Sequence, residues 1–448
     1  MSAAVLLIVA KLLSKKISIH SQQIWTTIQR SGAVYLAMKF IEHLFAKVIQ
    51  SNTGSSTQPE QSNCDGCDDD VFLDLGYQPL ANQLHNSREE SLLAKRYPLC
   101  AVIDDDKCIH LDTAVNPRLL YKNYVYNSGI SKPYKDHCKK LYSSLTHLQH
   151  DVVIDIGGND GTLLETFQEC AKKKQLRCIN VDASESFKET NESKGIEFIH
   201  GFFSDELNLP KANIITSTNV FQHTKDIHKF LRGIQKHLDG VWILEFPYTL
   251  NTLKTLQFDQ FYHEHYYYWL VTPLVKLFKQ YGLKIIHAQE TDIHGGSMLL
   301  WMTNKSPSAP DGAADRFVAT ESDFDYDIFD FEVKEKIVND LDWIQQLQGR
   351  TAFFGAAAKG TVYLNALGLN YLNVPGAYVV DDTPSKQSKF IGGTGFPIKD
   401  REYLYRDQPD NLIVLAHNFK DFIESSLRPR YRGRIITMLP TIEVKEIN

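Results

Sequence analysis

The run DVVIDIGGNDG, residues 151–161, leaves few folds open. Residues 152–156 are a short β-branched strand, 157–161 a tight glycine turn, and 162–171 carry helical apolar spacing. Such a turn brings backbone N–H groups against a ligand lying across the strand ends of an open α/β sheet. The glycines are not spaced G-x-G-x-x-G, so the dinucleotide fingerprint is not met. The same alternation continues, with strands predicted over 178–181, 212–217 and 241–246 and a helix running to residue 238. Two apolar runs, 283–288 and 297–302, flank the turn IHGG and predict a closing hairpin. The fold class is therefore α/β, a Rossmann-like sheet with helices on its faces.

Acidic residues mark the first two strand ends. Asp155 can attract a sulfonium and an ammonium, and Asp182 can accept both ribose hydroxyls of an adenosine. Together they describe an S-adenosylmethionine pocket of methyltransferase type, closed by Gly157, Gly158, Asn159 and Gly161. Asn219, after the strand at 212–217, joins this cofactor-binding set.

Between the strand at 241–246 and the hairpin lies FDQFYHEHYYYWL. Tyr262, His263, Glu264 and His265 are consecutive titratable groups against an aromatic wall. By spacing alone they suit a proton-abstraction site, a metal site or a surface cluster. H-E-x-x-H is absent, which removes the metalloprotease reading.

The 448 residues set a prior of about three domains. A net charge of −6 is the wrong sign for a surface that grips nucleic acid. That charge is uneven, with six basic residues against Glu42 in residues 1–50, a net +5 that leaves −11 for the rest. This extension has helical apolar spacing and too short an apolar run to span a bilayer. It reads as a surface for peripheral membrane contact, as a helix packed on the body, or as a presequence. Residues 51–63 are a polar linker. Seven scattered cysteines make no disulfide framework and fit a reducing, cytoplasmic setting, with membrane association left open by the extension.

Residues 64–145 form a loop-rich, Cys-containing lobe. Cys64 and Cys67 are half of a zinc site, for which Cys100 and Cys108 are the nearest second pair. The cofactor domain is assigned to 146–310 and a helical connector with a solvated face to 311–348. A second Rossmann-like domain follows at 349–448. There, a strand over 350–354 leads into GAAAKGT and a helix from residue 362. The lysine precedes the second glycine, so this is no Walker A loop. A small-residue turn at a helix start remains a phosphate site, with Lys359 as its charge and Asp381, after the strand at 377–380, facing a ribose.

The chain resembles the S-adenosylmethionine-dependent C-methyltransferases typified by sugar C-3 methyltransferases. The resemblance rests on CDGC, LGYQPLAN, YPL, YVYNSGIS, DIGGNDGTLLE, NVFQHTKDIHKF, LEFPY, FDQFYHEHYYY, HGGS, FFGAAAKGT and IGGTGFPI, in family order from about 64 to 400. Asp104 and Lys107 stand where the family pattern after YPL would put cysteines. The resemblance implies S-adenosylmethionine as cofactor, a zinc-binding-like first lobe, and a nucleotide-linked keto-sugar whose α proton is removed before methylation on carbon. It implies His265 as general base, with Glu264 and Tyr262 orienting it or lining the sugar. His223 and Tyr126 would approach the ketone oxygen, and His294 would lie in a turn near the substrate. An O- or N-methyltransferase, or a non-catalytic membrane-associated scaffold of the same fold, remains as an alternative. The sequence leaves the oligomeric state unspecified.

Overall fold

Four strands open the described chain: β1 (Val71–Pro79), the two-residue β2 (Leu84–His85), β3 (Arg96–Ile103) and β4 (Ile109–Leu111). The computed structural model describes residues 71–120, 132–148, 151–171, 176–305 and 312–447, all within the unit Cys67–Asn448. The N-terminal extension, the linker, Cys64, Cys67 and Tyr126 lie outside the described residues.

The central sheet is built from β5 (Val152–Ile156), β6 (Arg177–Asp182), β7 (Glu197–His200), β8 (Ala212–Thr218) and β9 (Leu238–Pro247). After the short β10 (Tyr267–Tyr268), β11 (Lys284–Thr291) and β12 (Ser297–Thr303) form the expected hairpin. The strand order is β11-β12-β9-β8-β5-β6-β7. β5 to β9 run parallel, while β12 is antiparallel to both β9 and β11.

Alternation explains why these segments are strands. Ile154, Ile215, Trp242 and Leu244 enter one hydrophobic core, while Val153, Ile214, Val241 and Ile243 enter the other. A period of two thus buries both faces of the sheet. The helix Lys132–Leu145, which the sequence reading counts with the Cys-containing lobe, buries Tyr134, Cys138, Leu141 and Leu145 in the second core. It packs on the helix Thr162–Ala171, with the Tyr142 and Phe167 rings 5.2 Å apart.

The second Rossmann-like sheet uses β13 (Thr351–Phe354), β14 (Val379–Val380), β16 (Ile398–Lys399), β17 (Asn411–Val414), β18 (Gly433–Thr437) and β19 (Glu443–Ile447). The order is β16-β14-β13-β17-β18-β19, parallel except for the last pair. β15 (Phe390–Ile391) leaves this lobe to pair with β2.

The connector has an exposed face, with Phe331, Glu335, Val338 and Asn339 in solvent, and a buried one. Its helix Phe329–Gln345 buries Phe329, Val333 and Ile344, and Phe329 stacks on Phe72 of β1 at 5.0 Å. From the preceding helix Asp315–Ser322, buried Glu321 accepts hydrogen bonds from the Val271 and Thr272 N–H groups. It thereby caps the helix Val271–Gln280, where a carboxylate offsets the exposed helix dipole. No described helix is long and apolar enough to cross a membrane.

Candidate active site

The turn after β5 lies at the carboxyl ends of the parallel strands. Gly157 has φ +66°, its N–H donates to Val181 O at 2.8 Å, and a Cβ there would lie 2.4 Å from Val220 Cγ2. Gly158 N–H donates to Asn180 Oδ1 at 3.1 Å, and Asn159 N–H to Asp182 Oδ2 at 3.0 Å. Gly161, at φ +75°, ends the turn against Asn191. Asp182 also accepts from Ser184 N–H at 2.8 Å, so its carboxylate is oriented at the tip of β6. Asn180 and Asn191 brace the turn through Asn159 O, a role that nothing in their sequence context signals.

Asp155 is buried, with Thr216 Oγ1 donating to it at 2.7 Å. Burial pushes its carboxyl up to about 7, and among the described residues no cationic side chain pairs with it. Asn219, at φ +57°, follows β8 and donates its N–H to Glu245 O. Buried Glu245 in turn holds His137 Nε2 at 2.9 Å. An acid short of a cation, a turn offering N–H groups and an oriented Asp182 fit the cationic, ribose-bearing S-adenosylmethionine.

The second half of the site is pinned by strand pairing. β10 adds to the first lobe as the fourth strand of β1-β3-β4-β10, with Tyr267 opposite His110 and Tyr268 opposite Ile109. This anchors the segment just after YHEH. His265 is buried, and its Nε2 lies 2.7 Å from the Tyr262 hydroxyl. The His223 ring stands edge-on to it at 4.9 Å. His223 Nδ1 donates to Glu264 O at 2.5 Å. Burial lowers the His223 imidazole to about 4 and, with the His223 and Lys359 charges, holds His265 well below its ordinary value. Both rings are neutral at pH 7.

Glu264 accepts from Asn82 Nδ2 of the first lobe at 3.0 Å, its other oxygen is buried without a partner, and burial pushes it up to about 7. His263 turns away, donating from Nε2 to Pro98 O at 3.2 Å.

Lys359 lies at the helix start that follows the small-residue turn. It stands in the first turn of the helix Ala358–Ala366, where its charge acts on His265 and on His417, with Asp259 as its counter-charge. Asp381 accepts from Ala356 and Thr383 N–H groups at 2.9 Å, repeating in the second sheet the way Asp182 braces the first. His294 sits in the turn Ile293–Gly295 between β11 and β12. The adjacent cleft of about 420 Å³ is lined among others by Lys254, Gln257, Glu290 and Gly296. Asn82, Asp259 and His417 escaped the sequence reading. The one signal for Asp259 is its place in the run FDQF just ahead of YHEH.

Zinc does not fit the described residues. Cys100 bonds through its backbone to Asp112 and Cys108 to Asp104, at opposite ends of the β3–β4 ladder. The separation is ~13 Å of strand, against the ~2.3 Å reach of a zinc–thiolate bond. No group of three metal-binding side chains occurs among the described residues.

Fold and site together define an S-adenosylmethionine-dependent methyltransferase. Residues 132–288 match the methyltransferase domain family and residues 292–440 the C-methyltransferase C-terminal domain. The chain is 26% identical over 415 residues to the C-methyltransferase NovU of Streptomyces niveus, covering 84% of this chain and 95% of that one. Among solved structures, an S-adenosylmethionine-dependent methyltransferase from Clostridium acetobutylicum is 16% identical with a TM-score of 0.32, over 42% of this chain and 94% of that chain. A protein from Pyrococcus horikoshii is 17% identical with a TM-score of 0.33, over 41% and 98%.

Proposed function

We propose that the protein methylates carbon on a nucleotide-linked 4-keto sugar, taking the proton from the carbon next to the ketone. The observation that carries this is the buried His265 imidazole, 2.7 Å from the half-buried Tyr262 hydroxyl and beside a second neutral imidazole. An oxygen or nitrogen acceptor needs no base for a carbon acid. A C–H acceptor does, and a neutral imidazole supplies one near neutral pH.

When bound, S-adenosylmethionine supplies an electrophilic methyl group on a good leaving group. The chain's own work is alignment and proton handling. Asp155 and Asp182 hold the cofactor's cationic and ribose ends at the strand tips. The substrate proton passes to the Tyr262–His265 pair, in which the Tyr262 hydroxyl meets His265 Nε2. His223, its Nδ1 donating to Glu264 O, lies beside His265 on the substrate side of the pair. The buried free oxygen of Glu264 suits a sugar hydroxyl as donor. The nucleotide is held by the turn at the start of the helix Ala358–Ala366, ordered by Asp381.

The test is mass spectrometry of a panel of nucleotide-linked 4-keto-6-deoxysugars incubated with methyl-deuterated S-adenosylmethionine. Label on a carbon next to the ketone is expected. Label on oxygen or nitrogen would refute carbon methylation, and no label despite cofactor binding would refute this substrate class.

A further inference from the structure

The helix Ala358–Ala366 of the C-terminal lobe rests on the turn Phe258–Gln260, just ahead of YHEH. Phe258 stacks on Tyr363 at 5.6 Å, and Tyr363 is tied by its hydroxyl to Asp340 at 2.9 Å. From the same lobe, His417 Nε2 meets Gln257 Oε1 at 2.9 Å, and its Nδ1 lies 3.6 Å from Asp259 Oδ2. Three residues of the methyltransferase domain are thus gripped from the C-terminal side.

Within this grip two opposite charges, on the turn and on the helix that rests on it, are left unjoined. Asp259 is 1% exposed, and its Oδ1 has no hydrogen-bond partner. The half-buried Lys359 makes no hydrogen bond or ion pair among the described residues, although the Asp259 charge acts on it. A buried acceptor and an ammonium left apart in this way match a ligand that offers an acceptor oxygen to one and a donor to the other. A diphosphate fits poorly, because its charge would face the Asp259 carboxylate. A neutral ketone oxygen that becomes negative during reaction fits well.

We propose that the Lys359 ammonium is the electrophile that holds the acceptor's carbonyl oxygen, and that Asp259 and His417 position it. This rests on the carbon-methylation reading above. As the α C–H bond breaks, its proton goes to the Tyr262–His265 pair. The bonding pair becomes the enolate C=C, and the carbonyl π pair moves onto the oxygen beside Lys359. The enolate carbon then takes the methyl group as its bond to the sulfonium breaks, the S–CH3 pair staying on sulfur in the leaving thioether S-adenosylhomocysteine, and the carbonyl is restored. The same cation, by opposing protonation of His265, keeps the base free.

The test is deuterium wash-in at the α carbon in D2O with S-adenosylhomocysteine bound, alongside methyl transfer, for wild type, Lys359→Met, Lys359→Arg and Asp259→Asn. Lys359→Met should lower both rates ~10²–10³-fold with substrate Kd within about threefold. Lys359→Arg should recover part of the loss, and it serves as the folded comparator should Lys359→Met misfold. Asp259→Asn, by removing the counter-charge, should move the alkaline limb of the wash-in rate to lower pH. A tenfold rise in KM with kcat unchanged in Lys359→Met would make Lys359 a phosphate anchor and overturn the proposal, as would unchanged rates. If the wild type exchanges no α proton on any keto sugar, the carbon-acid reading itself fails and the assignment of Lys359 falls with it.

Discussion

Burial sets the protonation of nearly every group at the site. It keeps His223 and His265 neutral, lowers Lys359 to about 8 and raises Glu264 and Asp155 to about 7. Asp155 carries a stability consequence. Its carboxyl ionises near 4 in the unfolded chain and near 7 in the folded one, so the folded state binds more protons between those values. Stability of the cofactor-free protein therefore falls as pH rises from about 4 to 7, by at most ~4 kcal/mol, and stays lowered above that. Asp155→Asn should flatten this dependence and raise Tm at pH 7.5 while weakening S-adenosylmethionine binding. Thermal melts across pH, with calorimetric titration of the cofactor, read both. A variant less stable than wild type at pH 7.5 would mean the carboxylate is not strained.

At the scale of elements, the glycine turn can be separated from simple backbone strain. Gly157 and Gly76 share a φ of +66°, but a Cβ at Gly157 meets Val220 while one at Gly76 meets nothing within 4 Å. Gly76→Ala should cost only the ~1–2 kcal/mol of left-handed backbone and leave cofactor affinity unchanged. Gly157→Ala should add a displacement of Val220 and weaken cofactor binding ~10-fold or more. Equal affinity in the two variants would count against the turn as part of the cofactor site. The strand–turn–helix unit itself was legible because β-branched alternation and clustered glycines are local signals. β10 was not, since two tyrosines in an aromatic run become a strand only when the β4 edge is beside them. What the connector's apolar face packs on was hidden for a related reason. Its charges look solvated in sequence, yet Phe329 and Val333 find the face of β1, which is far away along the chain.

At the scale of the whole molecule, the first and last lobes are joined directly. Ser91, fully buried, donates its hydroxyl to Ile391 O at 2.5 Å and accepts Gly395 N–H at 3.0 Å, beside the β2–β15 pairing. Ser91→Ala should cost ~1–3 kcal/mol through the unsatisfied Gly395 donor. It should also lower turnover more than cofactor affinity, because the cofactor turn lies elsewhere while Asn82 and Lys359 come from the joined lobes. Unfolding and kinetic measurements on the one variant check this, and a loss of cofactor affinity alone would contradict it.

The sequence by itself determined the α/β sheet, its hairpin closure, the glycine turn with its two acids, and the Tyr262–His265 cluster. Each is written in neighbouring residues or in a period of two. Only the tertiary structure decided that Cys100 and Cys108 stand apart on their ladder and that the Lys359 charge acts on His265. It also decided that Asn82, Asp259 and His417, from three parts of the chain, meet around that cluster. Burial creates those couplings, and burial belongs to the packed molecule rather than to any stretch of sequence.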